Sequence, residues 1–127
     1  MLDTDTCVYA RKQPVGFEPR LQLRDCGISV TVLGELEWGV ARSRRVERNR
    51  ASLRDLLAAV QVDDLDAEVA REYGRLRAHL RSIGQPIGPN DLWIAAHALA
   101  REVPLITHNL SEFGRVPGLS VESWMTA

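Results

Sequence analysis

The segment ISVTVLGELEWGVARS, residues 28–43, changes its hydrophobic period part-way along its length. Residues 28–31 are mostly β-branched, which favours a short buried strand, whereas apolar residues recur at helical spacing over 32–43. A strand that continues directly into an amphipathic helix is a building unit of parallel α/β sheets. This segment therefore predicts an α/β fold.

The same alternation continues on both sides of this segment. We predict further strands at 1–3, 60–62, 104–107 and 119–121, and helices at 6–12, 46–58, 65–83 and 90–101, with one or two more turns within 17–24. The helix at 65–83 has the clearest apolar stripe, and the acidic residues around its start suit capping and the helix dipole: Asp63, Asp64, Asp66 and Glu68. The expected architecture is a mainly parallel sheet of four to five short strands, covered by helices on both faces.

Length and composition set the protein class. The chain has 127 residues, 45% hydrophobic and 26% charged, so we expect a single domain over 1–127, since domains typically have roughly 100–200 residues. No apolar run approaches the ~18 residues of a membrane helix, and Asp3 stands where a signal peptide would be basic and apolar. We therefore expect a cytoplasmic protein, with Cys7 and Cys26 as reduced thiols because they lack CxxC spacing.

The charge pattern indicates where an anionic partner could bind. The net charge is -1, so any basic surface must be local. Every cationic residue except Lys12 is arginine, and six arginines fall within residues 42–54: Arg42, Arg44, Arg45, Arg48, Arg50 and Arg54. Arginine forks suit phosphate or carboxylate partners, although the same stretch is also consistent with a solvated helix face.

Polar residues near the carboxyl ends of the predicted strands are candidates for chemistry, because ligands bind at that edge of a parallel sheet. They are Asp3, Glu35, Asp91 and Asn109. Carboxylates brought together there would repel one another or take up protons unless a cation joined them, and oxygen ligands favour Mg²⁺ or Mn²⁺. Taken alone, Asp91 could be a carboxylate at a helix N-terminus and Asn109 a turn residue.

Four segments together resemble the PIN-domain family and, within it, the VapC-type toxins. They are MLDTD (1–5), SVTVLGELEWG (29–39), GPNDLWIAAHA (88–98) and LITHNLSEFGRVPGL (105–119). The resemblance covers essentially the whole chain in the family's order and spacing. It implies an α/β/α sandwich and a metal-dependent ribonuclease.

The resemblance assigns roles to individual residues. Asp3, Glu35 and Asp91 match the family's first three acidic positions and would hold the metal, and Asn109 matches the fourth position, which is acidic in many members. Asn109 would hold a metal-bound water or orient a neighbour, helped by Thr107. Thr4 and Asp5 would support the site, and Asp5, which replaces the family's common Asn, either tightens metal binding or caps the first helix.

The resemblance also implies a mechanism and partners. Mg²⁺, or Mn²⁺, would activate a water for in-line attack on RNA, leaving 5′-phosphate and 3′-hydroxyl ends. A VapB-type antitoxin would cover the acidic site, often through an arginine, and the toxin would form a homodimer without contacting a membrane. Candidates for RNA or antitoxin contact are Arg42, Arg44, Arg45 and His108.

Two other functions fit parts of the sequence. Asp3-Thr4-Asp5-Thr6 satisfies the DxDxT pattern of haloacid-dehalogenase-type phosphatases. That family and receiver domains require a lysine well downstream of the motif, whereas the only lysine, Lys12, follows it closely. A non-catalytic module, in which the acidic pocket binds a metal or a partner's arginine, remains the alternative to the nuclease.

Overall fold

The computed structural model describes residues 1–126, which form six α-helices, one short 3₁₀ helix and four short strands. In chain order these are α1 (Thr4–Lys12), the 3₁₀ helix (Leu23–Asp25), β1 (Gly27–Ser29), α2 (Val30–Ala41), α3 (Val46–Ala59), β2 (Gln61–Asp63), α4 (Ala67–Ser82), α5 (Pro89–Arg101), β3 (Leu105–Ile106), α6 (Leu110–Phe113) and β4 (Val121–Glu122). Strands therefore alternate with helices along most of the chain, as predicted.

The sheet consists of two parallel strand pairs joined by the N-terminal residues. β1 pairs with β2, and β3 pairs with β4, both in parallel. Leu2 forms a parallel bridge to Ile106, and its N–H donates to the Gly27 carbonyl at 2.9 Å. Residues 1–3 thus lie between β1 and β3, which confirms the predicted parallel α/β architecture, with the first strand reduced to a single bridging residue.

The transition from β1 to α2 occurs earlier than predicted. Ser29 ends the strand in an extended conformation, and its hydroxyl accepts a hydrogen bond from the Thr31 N–H at 3.1 Å. Val30 and Thr31, which we assigned to a strand, therefore form the first turn of the helix. A serine N-cap outweighs the strand preference of β-branched residues here.

The start of α1 also differs from the prediction. Asp3 is the N-cap, because its Oδ1 accepts a hydrogen bond from the Thr6 N–H at 2.9 Å. The helix accordingly begins at Thr4 rather than Thr6, and Asp5 lies exposed in the first turn. Asp5 therefore does not cap this helix, which excludes one of the two roles considered for it.

The apolar stripe of α4 is shorter than its sequence pattern suggested. Leu76 and Leu80 are buried in the core, and Asp66 caps the helix. Leu65 and Ile83, the ends of the predicted stripe, lie outside α4 and are 38% and 50% exposed. The predicted helix was therefore too long at both ends, although its buried face was correct.

Other differences are local. Residues 17–24 contain a bridge from Phe17 to Met125 and only the start of the 3₁₀ helix, and α6 was not predicted. The last strand lies at Val121–Glu122, slightly later than expected. One apolar cluster, which includes Ile28, Ile94 and Phe113, underlies the sheet and helices. Cys7 and Cys26 are buried free thiols, and every helix within residues 1–126 is too short or too polar to cross a bilayer.

Candidate active site

Asp3 lies at the centre of the sheet edge. It is only 6% exposed, and its backbone N–H donates to the Ile106 carbonyl at 3.0 Å. Burial raises the pKa of its carboxyl group, while hydrogen bonds from Thr107 and Thr6 oppose this increase. The fold therefore fixes Asp3 through both its backbone and its side chain, and Thr107 contacts it directly.

Glu35 lies on α2, and donors from two other helices hold its carboxylate. The Thr4 hydroxyl of α1 donates to Oε1, and the Asn90 side chain of α5 donates to Oε2 at 3.5 Å. Glu37 forms an ion pair with Arg50 instead. Glu35, unlike Glu37, therefore belongs to the edge where Asp3 lies, and Thr4 holds its carboxylate.

The acidic side chains of this edge repel one another electrostatically, as the pKa of Asp91 in the first turn of α5 shows. Its pKa is raised to about 7, first by burial and then by the negative charges of Glu112, Glu35 and Asp3. A carboxylate at a helix N-terminus ordinarily has a lowered pKa, because the helix dipole stabilises the ionised form. Here the acidic neighbours and burial outweigh the dipole, so Asp91 is more than a helix-terminal carboxylate.

Glu112 is a member of this cluster that we did not predict. Its Oε1 accepts from the Gly88 N–H at 3.0 Å, its Oε2 accepts from the Asn109 side chain at 2.9 Å, and it shares a hydrogen bond with Asp91. Burial acts to raise the pKa of Glu112, but these hydrogen bonds and nearby Arg115 lower it overall. The hydrogen bond between the two side chains thus raises the pKa of Asp91 and lowers that of Glu112.

Asn109 positions Glu112. It is the N-cap of α6, where its Oδ1 accepts from the Glu112 N–H at 3.4 Å, and its own N–H donates to the Thr107 hydroxyl at 3.0 Å. The spacing from Asn109 to Glu112 is that of an N-cap followed by its N3 glutamate, a signal in the sequence that could have identified Glu112. Asn109 therefore orients the Glu112 side chain.

The donor set fits a divalent cation, although it is not assembled as a finished coordination shell. Within residues 1–126, no three Asp, Glu, His or Cys side chains converge closely enough to hold an ion. In the same part of the chain, no arginine or lysine forms an ion pair with the four carboxylates at this edge: Asp3, Glu35, Asp91 and Glu112. Concentrated, uncompensated carboxylate charge is the environment that hard cations such as Mg²⁺ neutralise.

The remaining predicted site residues form no hydrogen bond or ion pair with this cluster within residues 1–126. Asp5 is exposed on α1, close enough to Asp3 to raise its pKa. Arg42 ends α2, and Arg44 and Arg45 are exposed between α2 and α3. His108 is exposed, and its Nδ1 lies 2.8 Å from the Ser123 hydroxyl.

A second polar network lies behind the acidic edge and connects the helices that carry it. His97 of α5 is fully buried, with Nδ1 2.8 Å from the Ser29 hydroxyl and Nε2 2.9 Å from Asp63. Because the Asp63 carboxylate only accepts, Nε2 of His97 donates to it. Hydrogen bonds from Arg101, and then from His97, lower the pKa of Asp63. The network thus joins α5, which carries Asp91, to the cap of α2.

The family assignment rests on a match that covers nearly the whole chain. Residues 1–119 match the family model described as the PIN domain. The chain belongs to the PIN-domain family. This PIN domain is 41% identical to Ribonuclease VapC2 of Rickettsia felis, with 98% of this chain and 96% of that protein covered. It is 39% identical, over the same shares of both chains, to the tRNA(fMet)-specific endonuclease VapC of Salmonella typhimurium.

The fold of this PIN domain is also similar to that of a solved relative. The crystal structure of VapBC2 from Rickettsia felis bound to a DNA fragment from its promoter contains a chain that matches with a TM-score of 0.87 and 38% identity. The match covers 98% of this chain and 97% of that one. The resemblance deduced from the four sequence segments is therefore confirmed.

Proposed function

We propose that this PIN domain is an endoribonuclease that uses Mg²⁺, with Mn²⁺ as a substitute, bound at the acidic edge. The observation that carries the proposal is Asp91, whose pKa of about 7 reflects burial together with the charges of Glu112, Glu35 and Asp3. A cluster of this charge is suited to a divalent ion facing a phosphodiester. The relatives named as VapC ribonucleases support the reaction class.

The chain's own groups have distinct roles in this proposal. Asp3, Asp91 and Glu35 would hold the ion, which would supply Lewis-acid chemistry when bound. The Thr4 hydroxyl orients Glu35, and Asn109 orients Glu112. Without an ion, Asp91 takes up a proton near neutral pH, and that proton is shared with Glu112.

The partners follow from the same relatives. We assign this PIN domain the role of the toxin in a VapBC-type toxin–antitoxin pair, because its solved relatives from Rickettsia felis and Salmonella typhimurium are VapBC complexes. A VapB-type antitoxin would neutralise the acidic edge with an arginine, which would form the ion pair that these carboxylates lack within residues 1–126. A homodimer and a cytoplasmic location, where RNA is available, complete the proposal.

The test is RNA cleavage by purified, antitoxin-free protein. Initiator tRNA is the first substrate to use, because the Salmonella relative is named as specific for tRNA(fMet). Wild type is compared with Asp3→Asn and Asp91→Asn, in Mg²⁺, Mn²⁺ or EDTA. Asp55→Asn on α3 is the matched control, since this aspartate is exposed and lies outside the acidic edge.

We expect metal-dependent cleavage by wild type and Asp55→Asn, with 5′-phosphate and 3′-hydroxyl ends, and none by the two site variants. If total cellular RNA is cut but initiator tRNA is not, the reaction class stands and the substrate assignment changes. If all four proteins behave alike, the cleavage comes from a contaminant and the assignment fails. Ion binding without cleavage of any RNA would establish the non-catalytic module instead.

A further inference from the structure

An exposed tryptophan lies beside the acidic edge. Trp38, on α2 three residues after Glu35, is 63% exposed. The guanidinium of Arg42 lies over its ring, 4.2 Å from the ring centroid. Because this cation covers one face of the indole, the large remaining exposure means that the opposite face is open to solvent. The cation–π contact also restrains the ring, which reduces the entropy lost when a ligand stacks on it.

The tryptophan and the acidic site share one cleft. A cavity of about 540 Å³ is lined by Thr4 and Glu35 of the acidic edge together with Trp38, Arg42 and Lys12. This volume lies within the range of roughly 300–1,000 Å³ that is typical of ligand pockets. Arg42 forms no ion pair within the described part of the chain, residues 1–126, so its charge is available to a ligand.

The chemistry of this cleft matches a single-stranded nucleic acid. A nucleotide chain presents a flat base and a phosphate at each step, and proteins bind such chains with aromatic rings for the bases and cations for the phosphates. Here a restrained open ring and an unpaired arginine lie in the same cavity as a carboxylate assigned to the reaction. An apolar protein segment would use the ring but would leave the charge of Arg42 unmatched.

We propose that Trp38 and Arg42 form a nucleotide subsite for single-stranded RNA next to the cleaved bond. The open face of Trp38 stacks on one base of the substrate, and Arg42 contacts a neighbouring phosphate. This inference rests on the proposed ribonuclease function and adds a positioning site to it. Stacking is tolerant of base identity, so the subsite selects an unpaired nucleotide rather than a particular base.

Steady-state cleavage of RNA tests the subsite. Trp38→Ala should raise KM by about 5- to 150-fold, the range that stacking of one base on an aromatic ring predicts, while Trp38→Phe should retain most of the affinity. Arg42→Ala should reduce the slope of log KM against log salt concentration by about 0.7, the value for one phosphate contact in a single strand. Arg71→Ala on α4, an exposed arginine outside the cleft, should change neither quantity.

A binding measurement separates the subsite from the reaction. In an Asp91→Asn background, a short single-stranded oligoribonucleotide should quench tryptophan fluorescence, and Trp38→Phe should remove that quenching while the other two tryptophans remain. If wild type does not cleave RNA but quenching depends on Trp38, the function fails and the subsite stands.

Two other outcomes would refute the proposed subsite without affecting the proposed ribonuclease function. If wild type cleaves RNA and Trp38→Ala leaves KM unchanged, the inference is wrong although the ribonuclease is established. If Trp38→Ala weakens binding of the antitoxin while KM for RNA stays the same, the ring belongs to a protein interface instead.

Discussion

Replacing Asp91 by asparagine should stabilise the metal-free protein, and the stabilisation should grow with pH. The folded pKa of this carboxyl group is about 7, against a usual 3.8. Between these values the folded state binds more protons than the unfolded state, so this group's contribution to stability decreases as pH rises through that window. Below this pH window Asp91 does not lower the free energy of unfolding, and above the window it lowers it by a constant amount. Asparagine keeps the shape and a donor for Glu112 but carries no charge.

The size of the stability difference follows from the interval between the folded and the usual pKa of Asp91. One unit of pKa corresponds to about 1.4 kcal/mol, so ionising Asp91 in the folded state costs about 4 kcal/mol before screening. Roughly two-thirds of that cost develops between about pH 5 and about pH 8, and solvent screening at this half-buried position reduces the observable part to about 1–2 kcal/mol. The difference in free energy of unfolding between Asp91→Asn and wild type should increase by that amount over this range.

Urea unfolding of both proteins in EDTA, near pH 5 and near pH 8, measures this difference. Comparing two proteins at two pH values cancels the groups that titrate alike in both, including Asp63 and Asp66. Asp55→Asn should give a difference that is the same at both pH values. If the Asp91→Asn difference is independent of pH, or shrinks as pH rises, the account of a charge-crowded edge is refuted.

Three further predictions concern the α6 cap, the buried polar network and the core. Asn109→Ala should lower the free energy of unfolding by about 1 kcal/mol through loss of the α6 cap. Asn109→Asp should keep the cap, whereas both variants should slow RNA cleavage because neither can donate to Glu112. Urea unfolding and cleavage rates check this, and an equal loss of stability in both variants would contradict it. His97→Leu should lower the free energy of unfolding by about 1–3 kcal/mol, because the buried Ser29 hydroxyl loses its hydrogen-bond partner; an unchanged urea midpoint would argue against the network. Leu76→Ala should lower the free energy of unfolding by about 2–5 kcal/mol and Leu65→Ala by less than about 1 kcal/mol, since only Leu76 is fully buried. Similar losses for both variants in urea unfolding would show that the apolar stripe of α4 is misassigned.

Much of the site could be anticipated because strand ends are visible in the sequence. The apolar runs before Asp3 and Asn109 indicate strands, and parallel strands bring their carboxyl ends to one edge. Glu35 follows from the helix that continues from β1, with an apolar stripe on the neighbouring face. These placements depend on hydrophobic period alone, which is a local property of the chain.

Other features depend on long-range contacts that a local pattern does not show, even where it marks the residue, as the N-cap spacing from Asn109 marks Glu112. Glu112 lies in a four-residue helix, too short to show a period, and its position depends on the Gly88 N–H, which is 24 residues away in the chain. Asn90 reaches Glu35 across 55 residues. The boundaries of α1 and α2 differ from the prediction because Asp3 and Ser29 are N-caps, so the β-branched residues that follow each of them are helical.

The central claim is that the carboxylates of the acidic edge form a divalent metal site, and calorimetric titration of RNA-free protein with Mn²⁺ tests it most directly. Near pH 8, above the pKa of Asp91, wild type and Asp55→Asn should bind Mn²⁺ with the same affinity, and Asp91→Asn should bind it at least about tenfold more weakly. Mg²⁺ should compete for the same site. Equal Mn²⁺ affinity in wild type and Asp91→Asn would contradict the account.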